Sequence, residues 1–391
     1  MNPIERRALA GLASLYVFRM LGLFMVLPVL TVYGKDYQHS TPALLGFALG
    51  AYGLSQALLQ IPLGTLSDRI GRKPVIFVGL AVFALGSVVA AMTDSVYGLI
   101  AGRVLQGCGA IAAATMALVA DLTRNENRGK AMAVIGASIG VAFMLAVIIG
   151  PALAGAGGLS AIFWVTAALA LVGMLLVWRL VPTPAPGERR IGVRRGNFRQ
   201  LLQSPGTWKL VCGVFFAHLL LTSLFVPLPL LLVDRLGLPS AEHWRLYGPL
   251  MAGAFVVMLP LMRMAERRGR VSQALAVALV GLGAGSLALL PGFSGAAMIA
   301  LLAVFFIAFN LLEALLPAQL TRTAPPEARG AATGLYATLQ FLGTFAGGSL
   351  GGDLYGHGGA SAVAVMGFVV LLVWALLWWL LRTPSAETQA G

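Results

Sequence analysis

The sequence predicts an all-α membrane protein of twelve transmembrane helices in two six-helix pseudo-repeats, and three observations lead there. Of 391 residues, 59% are hydrophobic and only 10% charged, whereas a soluble domain carries about 25% charged residues. Apolar runs of about 20 residues recur from end to end, each long enough to cross a hydrocarbon core of about 30 Å as a helix. Two separate charged motifs then return in the second half of the chain at one fixed offset. The short alternating segments of a membrane β-barrel are absent.

Taken in order, the apolar runs place spans at 9–33, 43–66, 74–92, 96–120, 130–154 and 160–181, then 208–233, 245–264, 271–290, 295–321, 331–353 and 361–381. The opening MNPIERRALAG enters the first run without a small-residue cleavage site, which predicts a retained first helix rather than a signal peptide. Residues 182–207, rich in Pro, Gly and Arg, read as a linker between an N-terminal half, 1–181, and a C-terminal half, 208–391. Cys108 and Cys212 both fall inside spans, so no disulfide framework is indicated.

Charge sets the expected orientation. Of the 27 Lys and Arg residues, 22 fall in the connections that share a side with the termini, 3 on the opposite side (Lys35, Arg235, Arg245), and 2 (Arg19, Arg103) within spans. The positive-inside tendency then puts both termini and the linker in the cytoplasm. The net charge of +13 therefore belongs to short membrane-flanking loops, and no nucleic-acid partner is expected.

The repeat supports the division into halves. Asp68-Arg69-Ile70-Gly71-Arg72, after the second span, returns 198 residues later as Glu266-Arg267-Arg268-Gly269-Arg270, after the eighth. Leu122-Thr123-Arg124 returns as Leu320-Thr321-Arg322 at the same offset of 198, and Arg128-Gly129 as Arg329-Gly330, three residues further on. Parallel six-helix halves related by an axis along the membrane normal are one of the architectures of secondary transporters.

These residues resemble the major facilitator superfamily over essentially the whole chain. Gly64 to Pro74, GTLSDRIGRKP, is similar to that family's signature between helices 2 and 3, and Arg103-Val-Leu-Gln106-Gly107-Cys-Gly109 to its second motif, in helix 4. Gly136, Gly140 and Gly150-Pro151 resemble the glycine-rich helix-5 motif of its antiporters, with the paired glycine that should follow only loosely reproduced by Gly155 and Gly157-Gly158. More narrowly, Arg19 to Leu30, ADLTRNENRGKAMA and Phe309 to Pro317 look like the YajR-type branch of the drug:proton antiporters, some of which carry a soluble C-terminal domain; here only a tail follows Arg382. The resemblance implies a multi-pass protein of the cell inner (plasma) membrane that moves a small molecule against protons.

Candidate sites follow from charge placement and from that resemblance. Asp68, Arg72 and Asp121, with Gly64, Arg69 and Gly71, are expected to form a cytoplasmic gate holding an outward-facing state, a role the family implies; the alternative is that the arginines serve topology and lipid headgroups. The second copy lacks the leading glycine and has Gln319 in place of Asp121, so the gate should be asymmetric. A charge at a span centre costs roughly 2.5–3.5 kcal/mol on insertion scales, so Arg19 and Arg103 face either a cavity or a structural partner. Gln106 follows Arg103 on one helical face. Glu313 is the one acidic residue deep in a span, and a low-dielectric cavity disfavours a charged carboxyl, which makes it the natural proton carrier. His218 brings an imidazole, a group suited to proton exchange near neutral pH. Met20, Asn310, Tyr336 and Gln340, with Gln56 and Gln60, are candidates for the substrate cavity, each also an ordinary filler of a helix interface. The glycines of helix 5 should allow close contact with a helix of the second half and Pro151 a bend.

The expected activity is proton-coupled efflux of a small amphipathic molecule by alternating access, with import by a proton symporter or uniporter as the alternative. No enzyme chemistry is signalled. There is no GxxxxGK[ST] phosphate loop, the histidines His39, His218, His243 and His357 are scattered, and neither a cofactor nor a metal is expected. The partners are the substrate, protons and the bilayer, and the chain is expected to act as a monomer.

Overall fold

A computed structural model of the chain describes residues 1–183, 203–325 and 328–381. Most of the linker, the Arg329 and Asn125 side chains and the tail from Arg382 lie outside the described residues. The helices are α1 Pro3–Phe24, α2 Leu30–Gly34, α3 Pro42–Ile70, α4 Arg72–Met92, α5 Val96–Cys108, α6 Ala112–Asp121 and α7 Arg128–Leu180. The second half holds α8 Pro205–Leu224, α9 Leu228–Leu236, α10 Trp244–Arg267, α11 Val271–Ser286, α12 Gly295–Thr323 and α13 Arg329–Leu380.

Ten helical segments among the described residues are long and apolar enough to cross a membrane. Two of them, α7 with 53 residues and α13 with 52, are too long for one crossing, since about 50 residues at about 1.5 Å each would run roughly 75 Å. Each is broken by glycine. Gly158 has φ 65° and ψ −162° and Gly359 φ 64° and ψ −161°, a left-handed conformation that disfavours any residue with a Cβ. They lie 201 residues apart, the offset already seen between Arg128 and Arg329, so the repeat extends to backbone conformation. Both ends of α7 sit beside the start of α1: Asn127 donates to Glu5 (3.2 Å) and Arg7 to the Arg179 carbonyl (2.7 Å). The helix therefore folds back at Gly157-Gly158. In α13, Gly343 and Gly347 lie against the carbonyls of Phe215 and Leu219, while Trp374 and Trp378 beyond the break return to Phe216 and Lys209. Counting each as two crossings gives the twelve of the predicted fold.

Three predicted spans are interrupted, a detail that hydropathy does not carry. The first breaks between α1 and α2 near Pro28, the seventh between α8 and α9 at Pro227, 199 residues on, and the fourth between α5 and α6 at Gly109. Proline removes a backbone donor and ends a helix. The carbonyl freed at Gly109 faces the protein interior, where Arg19 donates to it at 3.4 Å, and Tyr16 donates to the nearby Ala112 carbonyl at 3.0 Å.

The two halves meet most closely backbone to backbone, at glycines of α3 and α13. Gly46, Gly50 and Gly53 of α3 lie directly against the backbone of Gly348, Gly352, Phe345 and Phe341 in α13, close enough that a Cβ at Gly46 would strike the Gly348 carbonyl. This close approach is how small residues let membrane helices associate. It lies at the far end, opposite the described chain ends, together with a Ser240 to Tyr33 hydrogen bond at 3.2 Å. Nearer the terminal end the glycines are less crowded: nothing lies within 4 Å of a Cβ placed at Gly136, Gly330 or Gly334.

Gly46→Ala is expected to loosen this seam, with an overpacking cost of about 1–3 kcal/mol, whereas Gly136→Ala should stay within about 0.5 kcal/mol of the parent. Thermal unfolding of the two purified variants in one detergent checks the contrast.

Candidate functional site

In the N-terminal half, α1 carries Arg19 into the interior, 3% exposed. Its Nη2 donates to the Tyr52 hydroxyl (2.8 Å), to Gln56 Oε1 (2.6 Å) and, at 3.4 Å, to the Gly109 carbonyl freed by the α5–α6 break. Gln56 Nε2 donates in turn to Gln60 Oε1 at 2.9 Å, one turn along α3. The Arg19 Nε and Nη1 atoms are buried without a hydrogen-bond partner. Met20 is buried beside Arg19 on the same helix.

Arg103 and Gln106, expected at the cavity wall or in a structural contact, are placed in the latter. Arg103 Nη1 donates to Gln106 Oε1 (2.8 Å) and its Nε to the Ala48 carbonyl (3.4 Å), while Gln106 Nε2 donates to Ser87 (2.7 Å). The cavity expectation is corrected for this pair, because a guanidinium inside a half-bundle lowers its burial cost by tying α3, α4 and α5 together. The guanidinium also lies 5.2 Å from the centre of the Tyr52 ring.

The C-terminal half gathers the other predicted residues from α8, α12 and α13. His218 Nδ1 contacts the Val214 carbonyl at 3.1 Å and its Nε2 the Gln340 amide nitrogen at 2.9 Å. An amide nitrogen only donates, so Nε2 accepts and Nδ1 carries the proton, the neutral form of the ring. Glu313 Oε1 stands 3.7 Å from His218 Nδ1 and has no hydrogen-bond partner, in a side chain 25% exposed. The buried Tyr336 hydroxyl is also without a partner. Asn310 is brought to the same helix face but spends its amide on the Phe306 carbonyl at 2.8 Å.

Aromatic rings close the space between the two groups. Phe24 of α1 meets Phe143 of α7 (5.1 Å between centroids), Phe143 meets Phe309 of α12 (6.1 Å), and Phe309 meets His218 (5.4 Å). On the other flank Tyr52 meets Phe341 at 5.9 Å. The helix-5 glycines divide differently from expectation. Gly140 faces Phe255 of the second half at 3.3 Å, but Gly150 lies against the Met25 carbonyl of its own half and Gly136 against nothing. The break in the first span carries the Met25 carbonyl onto Gly150, beside the buried Pro151, and Gly136 is exposed.

At the terminal end, Gly71 takes φ 104° between α3 and α4 and so turns Arg72 back over α3. Arg72 binds Asp68, its Nε lies 3.2 Å from Asp121 Oδ2, and Nη1 donates to Ser67 at 2.7 Å. Gly64 lets α3 approach Ala113, and Arg69 is exposed. All of this cluster belongs to the N-terminal half. The repeat's counterpart joins Arg322 to Glu266 at 2.9 Å, with side chains 59% and 34% exposed against 6% and 2% for Arg72 and Asp121.

Sequence reasoning missed several members. Tyr52 gave no signal, because a tyrosine in an apolar run reads as a filler. Glu5 did leave one: Asn2-Pro-Ile-Glu5 is a capping box, and the structure shows both reciprocal bonds. The buried Glu5 carboxylate also accepts from the Arg124 backbone (3.0 Å) and pins the α6–α7 connection to α1. The pattern Gly46-x3-Gly50 on α3, facing Gly348-x3-Gly352, was a further readable sign.

Comparison with known proteins agrees with this geometry. The sequence matches the Major Facilitator Superfamily over residues 12–348 and 246–391. It is 47% identical to the inner membrane transport protein YajR of Escherichia coli K12 over 96% of this chain and 83% of that one. The multidrug resistance protein MdtH of Edwardsiella ictaluri is 29% identical over 95% and 94% of the two chains. Among solved structures, a bacterial homologue of the human lysosomal transporter Spinster, inward-facing and unoccupied, superposes with a TM-score of 0.77 at 17% identity, covering 98% of this chain and 100% of that one.

The contrast between the two ion clusters is measurable. Asp121→Asn removes one carboxylate from a buried arginine and is expected to cost about 1–3 kcal/mol, Asp68 retaining part of the pairing. Glu266→Gln, at the exposed pair, should cost under about 1 kcal/mol. Equal losses in thermal unfolding would contradict the asymmetry.

Proposed function

Because the chain belongs to the major facilitator superfamily, we propose that it is a proton-coupled antiporter that exports a small amphipathic molecule across the inner membrane by alternating access, with both termini cytoplasmic. Membership of that family makes it a transporter and not an enzyme. Export and proton coupling are the steps proposed here, and the multidrug designation of the more distant relative is in line with them.

The observation that carries the reading is the pairing of Glu313 with a neutral His218. A carboxyl with one oxygen unpartnered, 3.7 Å from a ring nitrogen that already donates elsewhere, is best matched by its protonated form. The halves are in backbone contact at the far end, and the partly exposed Glu313 would exchange its proton with the cytoplasm when the terminal end is open. Loss of that proton leaves a carboxylate that needs a partner. Protonation of His218 or a change in the packing around α12 supplies one, and reloading from the outside completes the exchange. Pro317, one turn beyond Glu313, gives α12 a place to bend. Tyr336 and Gln340 on α13 and Arg19 with Met20 on α1 would face the cargo from the two halves, with Asn310 supporting α12. Arg103 and Gln106 would hold the wall behind them. The Asp68–Arg72–Asp121 cluster, assembled among residues of the N-terminal half, would serve as the lock that α3 presents to the second half when the terminal end closes.

Glu313→Gln is the direct test. In proteoliposomes loaded with a pH-sensitive dye and challenged with a panel of amphipathic compounds, the parent should move protons opposite to the compound under gradients of either sign. The variant is expected to lose at least about tenfold of this proton movement. Proton flux equal to the parent's would remove Glu313 from the mechanism, and co-directional flux would establish symport instead.

A further inference from the structure

The interior of the N-terminal half holds two guanidinium groups beside one ring, and no carboxylate comes within ion-pair distance of either among the described residues. Arg19 binds the Tyr52 hydroxyl at 2.8 Å and Arg103 lies 5.2 Å from the centre of the same ring. A guanidinium is the most basic of the side-chain groups and carries its charge at neutral pH. Arg103 is neutralised in part by Gln106 and the Ala48 carbonyl. Arg19 is not: its three acceptors all crowd one nitrogen, Nη2, while Nε and Nη1, which carry the remaining N–H groups, are buried without an acceptor.

A buried charge with most of its donors unused is costly, and here the arrangement holds it in place. Gln56 is fixed by Gln60, and the Gly109 carbonyl is available only because the helix breaks there. The surroundings are apolar and aromatic, with Tyr16 and Met20 on α1 and Phe341 across the seam. A group that brought one negative charge and oxygen acceptors would supply what Arg19 lacks. A cation would add a third positive charge to the pair.

We propose that Arg19, positioned by Tyr52 and Gln56, is the recognition point for a carboxylate on the transported molecule, so that the cargo is an amphipathic organic acid rather than a cationic drug. The acid group would accept from the free Arg19 nitrogens once the halves move apart enough to admit it, and the apolar body would lie along Tyr52 and Phe341. This rests on the transport reading for the place of the site, but its chemistry is independent of proton coupling.

The test is equilibrium binding to the purified full-length chain, read as thermal stabilisation. Benzoate, 2-naphthoate and decanoate are compared with their uncharged primary amides, with the corresponding amines and with sodium sulfate at matched ionic strength. At least one acid is expected to bind at least about tenfold more tightly than its amide. Arg19→Gln should erase that preference and Arg19→Lys retain part of it, and Tyr52→Phe should weaken the acid without strengthening the amide. Equal binding of acid and amide, a preference for the amine, equal protection by sulfate, no stabilisation by any of the acids, or an acid preference that survives Arg19→Gln would each overturn the proposal. Should Arg19→Gln not fold, the preference of the parent for acid over amide and its weakening in Tyr52→Phe still decide it. Acid-selective binding without gradient-driven flux would refute antiport and leave this site standing; antiport of compounds without an acid group would do the reverse.

Discussion

The structure depends on the backbone contact between α3 and α13. With Gly46, Gly50 and Gly53 on one side and Gly348 and Gly352 on the other, the two half-bundles approach at the far end more closely than any pair of side-chain-bearing helices could. The halves also touch where Phe143 meets Phe309 and Gly140 faces Phe255, and each has its own broken spans. A contact of this kind is made or unmade as a whole, because a carbonyl pressed against glycine leaves no soft side chain to yield gradually. That gives two bundles and one hinge-like seam the character of a two-state device.

The polar groups begin where the seam ends. On α3, Gln56 and Gln60 follow Gly53 within two turns, and on α13 Tyr336 and Gln340 precede Phe341 and Phe345. Sealing by glycine and aromatic rings above, and hydrogen-bonding groups below, therefore follow from the register of two helices. The halves differ in electrostatic character. The first presents Arg19 with unused donors and the second Glu313 with an unused acceptor, each in a surrounding that would otherwise exclude charge. The asymmetry extends to the terminal end, where the Arg72 cluster of the first half is buried and the Arg322–Glu266 pair of the second is exposed.

Much of this was legible in the sequence. The equal offsets of the charged loops carried the repeat, and they anticipated the matched glycine breaks at Gly158 and Gly359 because both follow the same duplicated segment. Glu313, His218 and Gln340 could be singled out because polar groups in hydrocarbon are scarce. What sequence could not supply was direction. Arg103 and Arg19 look alike as lone charges in apolar runs, yet Arg103 turns into its own half and Arg19 keeps nitrogens without partners. Helix facing also decides which glycines touch what: Gly150 meets α1 of its own half, and the α3 glycines, less conspicuous beside the charged motif at the other end of that helix, form the seam.

The account turns on the two ends of the molecule moving in opposite senses around that seam. Spin labels at Asp94 and His357 span the far end, and labels at Thr65 and Thr321 the terminal end, all at positions exposed in the structure; the native Cys108 and Cys212 are replaced. Distances are measured in lipid nanodiscs at about pH 5 and about pH 8, on either side of the range where histidine and buried carboxyl groups exchange protons. The account predicts reciprocal shifts, the Asp94–His357 distance lengthening in the condition in which the Thr65–Thr321 distance shortens. Distances that rise and fall together, or that stay fixed at both ends, would contradict it.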